Sequence, residues 1–274
     1  MKLQKDNILI VGAGNMGFAF ITALLDTKVA AKQISVLENN PSQELKKLTK
    51  LKKLNLISSI AMLDIKKKIS IVLLAIKPNQ VNNIFTDDFN IRINKSLLIS
   101  IVAGKTMASL KKLSNGNINI ARAMTNTPVT VGWGTSIVYF SKNFSVRNKQ
   151  KVIHLFDLVG QVEEVKNEKY INTFTALFGS GPAYLYLFLE TWSEVAKKNG
   201  FKFGEEMAVQ TMLGSLLLLL KTQDDPKILR NKVTSKGGTT EAGLEVFLKN
   251  KVFSKLFTAA VSKATKRAVD LSKS

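Results

Sequence analysis

Four consecutive apolar residues, Ile8-Leu9-Ile10-Val11, run directly into Gly12-Ala13-Gly14-Asn15-Met16-Gly17. A short continuous apolar run reads as a strand covered on both faces, and the residues that follow, Phe18, Ile21, Ala23, Leu24 and Leu25, recur at helical spacing. The alternation continues along the chain. Gln33–Leu37 reads as a second strand, Ser42–Lys53 as a lysine-rich helix and 54–60 as a weak third strand. Strongly apolar runs at Ile69–Ile76 and Ser96–Val102, then Asn117–Ala123, Thr135–Phe140 and Gln161–Val165, predict further strands, with an amphipathic helix over Val146–Leu158. Strand and helix in turn predict an α/β fold with a Rossmann-type, doubly wound parallel sheet.

Beyond about Glu164 the pattern changes to helices alone, which predicts a domain boundary there, with residues 1–164 binding a dinucleotide and 165–274 forming an all-helical domain. Asn167–Asn199 reads as one long helix broken at Gly179-Ser180-Gly181-Pro182, where proline lacks an N–H. Phe203–Thr222 is largely apolar around its circumference, and its run Leu216–Leu220 is too short to span a bilayer. So few helices cannot bury such a helix alone. The expectation is a helical homodimer in which two of these domains interlock. Further helices are expected over Thr239–Lys249 and Val252–Leu271.

The glycine turn supplies the first chemistry. Gly12 permits a tight turn, Gly14 lets a pyrophosphate approach the backbone, and Gly17 lets the helix pack close to the strand. An anion would sit at the helix N-terminus, where free N–H groups and the dipole favour negative charge. Glu38 ends the second strand about twenty residues past the turn, where an acid commonly bonds the adenosine ribose hydroxyls. That carboxylate favours NADH over NADPH, although an exposed strand-end glutamate without a ligand reads the same way. Lys77-Pro78, Ala103-Gly104 and Met124-Thr125-Asn126-Thr127-Pro128 each follow a strand, where open α/β sheets bind ligands. A second anion site is expected at Ser235-Lys236-Gly237-Gly238-Thr239-Thr240-Glu241, a glycine-rich helix start with two threonine hydroxyls.

Composition narrows the rest. With no cysteine and one histidine, His154, neither a disulfide nor a thiol nucleophile nor a cysteine or histidine metal cluster is expected. His154 reads as a partly buried residue of a helix. The net charge of +20 raises the question of nucleic acid or membrane partners, yet the lysines are scattered, and only five of the 40 basic residues are arginine. Neither partner is expected. The start of the chain shows no signal-peptide pattern, so a cytoplasmic protein is expected. No lysine follows Gly181-Pro182 in Ala183-Tyr184-Leu185-Tyr186-Leu187, where hydroxy-acid dehydrogenases would need a group to move the hydroxyl proton. An imine reductase needs less, because a protonated C=N is already electrophilic.

The glycine loop, Ala75-Ile76-Lys77-Pro78, Arg122-Ala123-Met124-Thr125-Asn126-Thr127-Pro128, Ser180-Gly181-Pro182-Ala183-Tyr184 and Ser235-Lys236-Gly237-Gly238-Thr239-Thr240 together resemble the pyrroline-5-carboxylate reductase family, almost end to end. The resemblance implies NAD(P)H-dependent reduction of 1-pyrroline-5-carboxylate to L-proline, the last step of proline biosynthesis. It implies that Gly12, Ala13, Gly14, Asn15, Met16, Gly17, Ala75, Lys77 and Pro78 line the cofactor, with Asn126 near the nicotinamide. It places the substrate carboxylate on Ser235, Gly238, Thr239 and Thr240, with the Thr240 hydroxyl near the imine nitrogen as the catalytic group. The second turn is expected to come over the nicotinamide in a dimer, and family members often assemble further into decamers.

Three positions depart from the family pattern: Thr125 and Lys236 replace prolines, and Met62 replaces an asparagine on the adenosine side of the cofactor. Losing two prolines predicts less rigid loops. Residue chemistry alone leaves open a reductase of another cyclic imine, a β-hydroxyacid dehydrogenase-like enzyme, and a dinucleotide-binding regulator without activity.

Overall fold

The apolar runs become strands with both faces covered. In the computed structural model, which describes residues 3–64, 66–117 and 119–273, the strands are β1 (Ile8–Val11), β2 (Ile34–Leu37), β3 (Asn55–Ile57), β4 (Ile71–Leu74), β5 (Leu97–Ser100), β6 (Ile120–Thr125), β7 (Gly134–Phe140) and β8 (Gly160–Glu164). Ile118, inside the expected strand Asn117–Ala123, lies outside the described residues. The strands form one sheet in the order β3-β2-β1-β4-β5-β6-β7-β8. Helices α1 (Asn15–Leu25), α2 (Gln43–Lys52), α3 (Val81–Ile84), α4 (Asp87–Arg92), α5 (Met107–Leu113) and α6 (Val146–Asp157) connect them.

Side-chain alternation explains the double winding. Ile8 and Ile10 of β1 enter one core with Phe20 and Leu24 of α1, Leu45 of α2 and Phe156 of α6. Leu9 and Val11 point the other way, into a core with Val81 of α3, Phe89 of α4 and Leu110 of α5. Across the first face Phe20 and Phe156 meet edge to face at 5.2 Å. Neighbouring strands are parallel except β6 and β7, which pair antiparallel. The connection 126–133 is shorter than the dozen or so residues of a parallel crossover, so β7 must return beside β6 in the opposite direction. The strand order reverses between β1 and β4, and a crevice outside their carboxyl ends is the usual ligand position in such sheets.

The remaining helices are α7 (Tyr170–Phe174), α8 (Gly181–Lys198), α9 (Gly204–Thr222), α10 (Pro226–Lys232), α11 (Thr239–Leu248) and α12 (Val252–Lys273). The expected interruption of the long helix is a π-helical turn, Thr175–Gly179, between α7 and α8. Helix α10, begun by Pro226 and capped by Asp225, occupies a stretch to which the sequence pattern assigned no element.

The chain divides into two compact units, Met1–Ser180 with Ala264–Ser274, and Gly181–Lys263. The stretch after Glu164 stays with the sheet for two reasons. Ile171 and Phe174 bury against Met124 and Ile137. Arg122, 2% exposed in β6, is paired at 2.6 Å with Glu168, whose same oxygen accepts the Met107 N–H at 2.7 Å. The end of α12 returns to the same unit, packing the Leu271 carbonyl against Gly104, where a Cβ would approach it to 2.8 Å.

The second unit has almost no interior of its own. Between Gly181 and Lys263 only Ser193, Gly204 and Ala208 are buried, while Leu213, Leu216, Leu217, Leu218 and Leu220 of α9 are each about half exposed. Among the described residues no helix is long and apolar enough to cross a membrane.

Candidate active site

The glycine turn is shaped as its three glycines require. Gly12 has φ +89°, and a Cβ there would meet the Ala75 carbonyl at 2.7 Å. A Cβ on Gly17 would meet the Gly12 carbonyl at 2.1 Å, so α1 lies directly on the turn. Gly14, which starts α1, has nothing within 4 Å of its Cβ position. Open space therefore lies over the helix N-terminus at Gly14, the one of these three glycines whose absent side chain serves no internal packing. Asn15, Met16 and Gly17 form the first turn of α1, the position from which helix N–H groups meet an anion. These features fit the pyrophosphate of a dinucleotide.

Backbone hydrogen bonds hold the turn between its neighbours, from Gly12 N–H to the Leu37 carbonyl at 2.9 Å and from Ala75 N–H to Val11 at 2.8 Å. Glu38 adds a link that sequence did not suggest. One carboxylate oxygen accepts the Ala13 N–H at 2.9 Å and the other accepts the Asn40 N–H at 2.9 Å. The carboxylate is thereby fixed beside the glycine turn. A cavity of about 210 Å³ opens there, lined by Gly12, Glu38, Asn39, Ile76, Gln80 and Asn83. Asn39, Gln80 and Asn83 went unremarked in the sequence because their polar side chains have no spacing signature.

Lys77 precedes a 3-10 turn, Pro78–Gln80, and its N–H donates to the Gln80 side chain at 3.2 Å. Both Lys77 and Pro78 are exposed at the carboxyl end of β4. Met62 closes a short 3-10 turn and is 61% exposed, and its sulfur accepts the Ser58 hydroxyl. Thr125 lies within a strand, not a loop. It is the last residue of β6, pairs with Ser136, and accepts the Ser136 hydroxyl at 2.8 Å. Asn126, next in the chain, is 8% exposed and bonds the Thr135 N–H and the Phe178 carbonyl.

The second expected turn lies in the other unit. Gly237 has φ +71°, and its N–H donates to a Glu241 carboxylate oxygen at 2.6 Å. Gly238 N–H bonds the Ser235 carbonyl at 3.0 Å, and a Cβ on Gly238 would meet the Ser235 hydroxyl at 2.4 Å. The Ser235 side chain thus lies against the start of α11, where Thr239 and Thr240 are the first two residues. Their N–H groups belong to the set a helix cannot satisfy internally. Glu241 lies in the first turn of the helix and reaches back to that Gly237 N–H. A cavity of about 710 Å³ lies between α10 and α11, lined by Arg230, Thr234, Gly237, Gly238 and Glu241 among others, but not by Thr239 or Thr240.

Two turns built to present backbone amides, one on a dinucleotide-type sheet and one on a helical unit, match comparisons along both halves of the chain. Residues 7–104 match the family model described as NADP oxidoreductase coenzyme F420-dependent, and residues 168–271 match that for pyrroline-5-carboxylate reductase dimerisation. The pyrroline-5-carboxylate reductase of Haemophilus influenzae is 34% identical over 251 residues, covering 89% of this chain and 90% of that one. The chain belongs to the pyrroline-5-carboxylate reductase family. The Aquifex aeolicus reductase is 30% identical over 96% of both chains. Among solved structures, the Coxiella burnetii pyrroline-5-carboxylate reductase superposes with TM-score 0.85 at 29% identity, covering 98% of this chain and 99% of that one. The Plasmodium falciparum pyrroline carboxylate reductase, solved with NADP bound, gives 0.83 at 26%, covering 99% and 100%. Membership accounts for a sheet and a helical unit carrying two glycine turns on one chain.

Proposed function

We propose that this member of the pyrroline-5-carboxylate reductase family reduces 1-pyrroline-5-carboxylate to L-proline. The observation that carries the reading is the end-to-end likeness to reductases of that name, over a chain whose two glycine turns both present helix N-termini. When bound, reduced nicotinamide dinucleotide supplies the hydride that adds to the imine carbon. The nitrogen takes a proton, so the C=N bond becomes a CH–NH bond. The protein's share is to bind, orient and supply that proton.

Gly12, Ala13, Gly14, Asn15, Met16 and Gly17 hold the pyrophosphate, Ala75, Lys77 and Pro78 border the cofactor, and the backbone at Asn126, whose side chain is engaged within the protein, passes near its nicotinamide end. Ser235 and the amides of Gly238, Thr239 and Thr240 hold the substrate carboxylate, with the Thr240 hydroxyl toward the imine nitrogen. The protein works as a homodimer through its helical unit, open to assembly into decamers, in the cytoplasm. The sheet unit, which runs on past Glu164 to Ser180, binds the dinucleotide, and the helical unit from Gly181 to Lys263 serves dimerisation and substrate.

The test is the purified protein with 1-pyrroline-5-carboxylate and either NADH or NADPH, following cofactor oxidation. Absence of turnover with both cofactors overturns the reading. Thr240→Ala is expected to lower kcat about 10- to 100-fold with unchanged cofactor Kd. A loss of cofactor affinity instead would show that Thr240 does not serve the imine.

For Glu38 the proposal is a preference for NADH. Its carboxylate is held in place by the Ala13 and Asn40 N–H groups, so it cannot swing away from an incoming 2′-phosphate. Like charges brought side by side cost several kcal/mol, and about 1.4 kcal/mol is a factor of ten. Glu38→Ser is expected to shift the NADH-to-NADPH ratio of kcat/KM about tenfold or more toward NADPH. A parent protein that already prefers NADPH would refute the role.

A further inference from the structure

One buried carboxamide in the sheet unit does two jobs, and both follow from breaks in regular structure. At the end of β6 the antiparallel ladder pairs Thr125 with Ser136. The chain then leaves the sheet for a 3-10 turn, Thr127–Val131, and the Asn126 side-chain carbonyl takes the Thr135 N–H at 2.9 Å at the next rung. On its other side Nδ2 donates to the Phe178 carbonyl at 3.2 Å. Phe178 lies in the π-helical turn Thr175–Gly179. In an α-helix its carbonyl would accept the N–H four residues on, but that residue is Pro182, which has none. The turn is otherwise closed by Ser180, whose N–H and hydroxyl both donate to the Thr175 carbonyl, at 2.8 and 3.1 Å.

We propose that Asn126 is a positioning residue whose amide supplies the donor that Pro182 lacks, clamping the π-helical turn to the carboxyl end of β6. The side chain is 8% exposed and has one donor and one acceptor already engaged. It therefore acts through the backbone it holds, keeping this end of the sheet in one shape for hydride transfer. The kinetic part rests on the reductase reading; the structural part does not. Irregular helical turns are commonly kept at working sites because they place backbone groups that a regular helix would not.

The experiment compares the full-length Asn126→Ala, Asn126→Asp and Pro182→Ala proteins and the Asn126→Ala/Pro182→Ala double variant. Asn126→Asp is nearly isosteric and keeps the Thr135 bond, but sets an oxygen against the Phe178 carbonyl. The first readout is amide hydrogen exchange in peptides spanning 174–181, which contain the Ser180 N–H. The second is kcat, KM and cofactor Kd.

Both single Asn126 variants should exchange at least tenfold faster across the turn and lose about 10- to 100-fold in kcat, with cofactor Kd changed less than twofold. Pro182→Ala restores a backbone donor, so the double variant should recover exchange protection and at least part of the lost kcat. Unchanged exchange in both Asn126 variants overturns the clamp, as does a double variant with purely additive losses. A Kd that rises in step with the lost turnover would make Asn126 a cofactor contact instead. A parent protein inactive on the imine would sink the reductase reading and leave the exchange measurements to decide the clamp.

Discussion

Gly17→Ala is expected to abolish dinucleotide binding by displacing α1, whereas Gly14→Ala is expected to weaken binding severely while leaving the fold untouched. At Gly17 the new Cβ would lie 2.1 Å from the Gly12 carbonyl oxygen and 3.0 Å from its carbon. Those are backbone atoms, bound into the sheet through Gly12 N–H and Leu37, so a rotating side chain cannot relieve the overlap. The helix must shift. Such overpacking costs about 1–3 kcal/mol, and a thermal midpoint lowered by several degrees should report it.

Gly14 is the contrasting case. Its backbone, at φ −66°, suits any residue, and no neighbour lies within 4 Å of the added methyl. The midpoint of Gly14→Ala should match the parent within about a degree, yet NADH affinity should fall about tenfold or more, because the methyl occupies the approach to the helix amides. Calorimetric titration with NADH and a thermal melt on each variant separate the two outcomes. Full affinity in Gly14→Ala would show that the pyrophosphate does not lie over this turn.

The same contrast explains which parts of the fold could be read from sequence. A buried parallel strand writes itself as an uninterrupted apolar run, so β1, β4 and β5 were legible, as were the glycine turn and the helical second half. The reversal of β7 was not. It follows from the shortness of 126–133, which matters only once β6 is known to be its partner. Short helices such as α4 and α10 carry too few turns to show a period, and a side chain caps the start of each: Thr86 bonds the Phe89 N–H and Asp225 the Lys227 N–H.

At the site, local chemistry was legible and long-range bonding was not. Gly237 and Gly238 announced the second turn, whereas the reach of Glu241 back to the Gly237 N–H was not legible. The links from Glu38 to Ala13 and from Asn126 to Phe178 join residues 25 and 52 positions apart, and no periodicity encodes them. Thr125 shows how a substitution can read wrongly in sequence. Lost proline suggests a looser loop, but the residue is paired within the sheet and its hydroxyl bonds Ser136.

The second large effect concerns the helical unit, whose folding is expected to require its partner subunit. A 19-residue helix with only Gly204 and Ala208 buried cannot be held by its own chain. Helical stability in water comes chiefly from a packed face, and each leucine moved from half exposure to full burial contributes about 1 kcal/mol. Dissociation would forfeit that contribution along all of α9, as well as from aromatic residues such as Phe188, Phe203 and Phe257. Unfolding should therefore be coupled to dissociation, with stability rising by about 1.4 kcal/mol of dimer for each tenfold increase in protein concentration. Leu213→Glu/Leu217→Glu places two charges one turn apart on a helix that a partner must cover. Sedimentation should find this variant monomeric, and its helical circular dichroism should fall at micromolar concentration while the sheet unit keeps NADH affinity. A monomer with full helicity, or a melting temperature independent of protein concentration, would mean that the helical unit stands alone, with its apolar faces open to water.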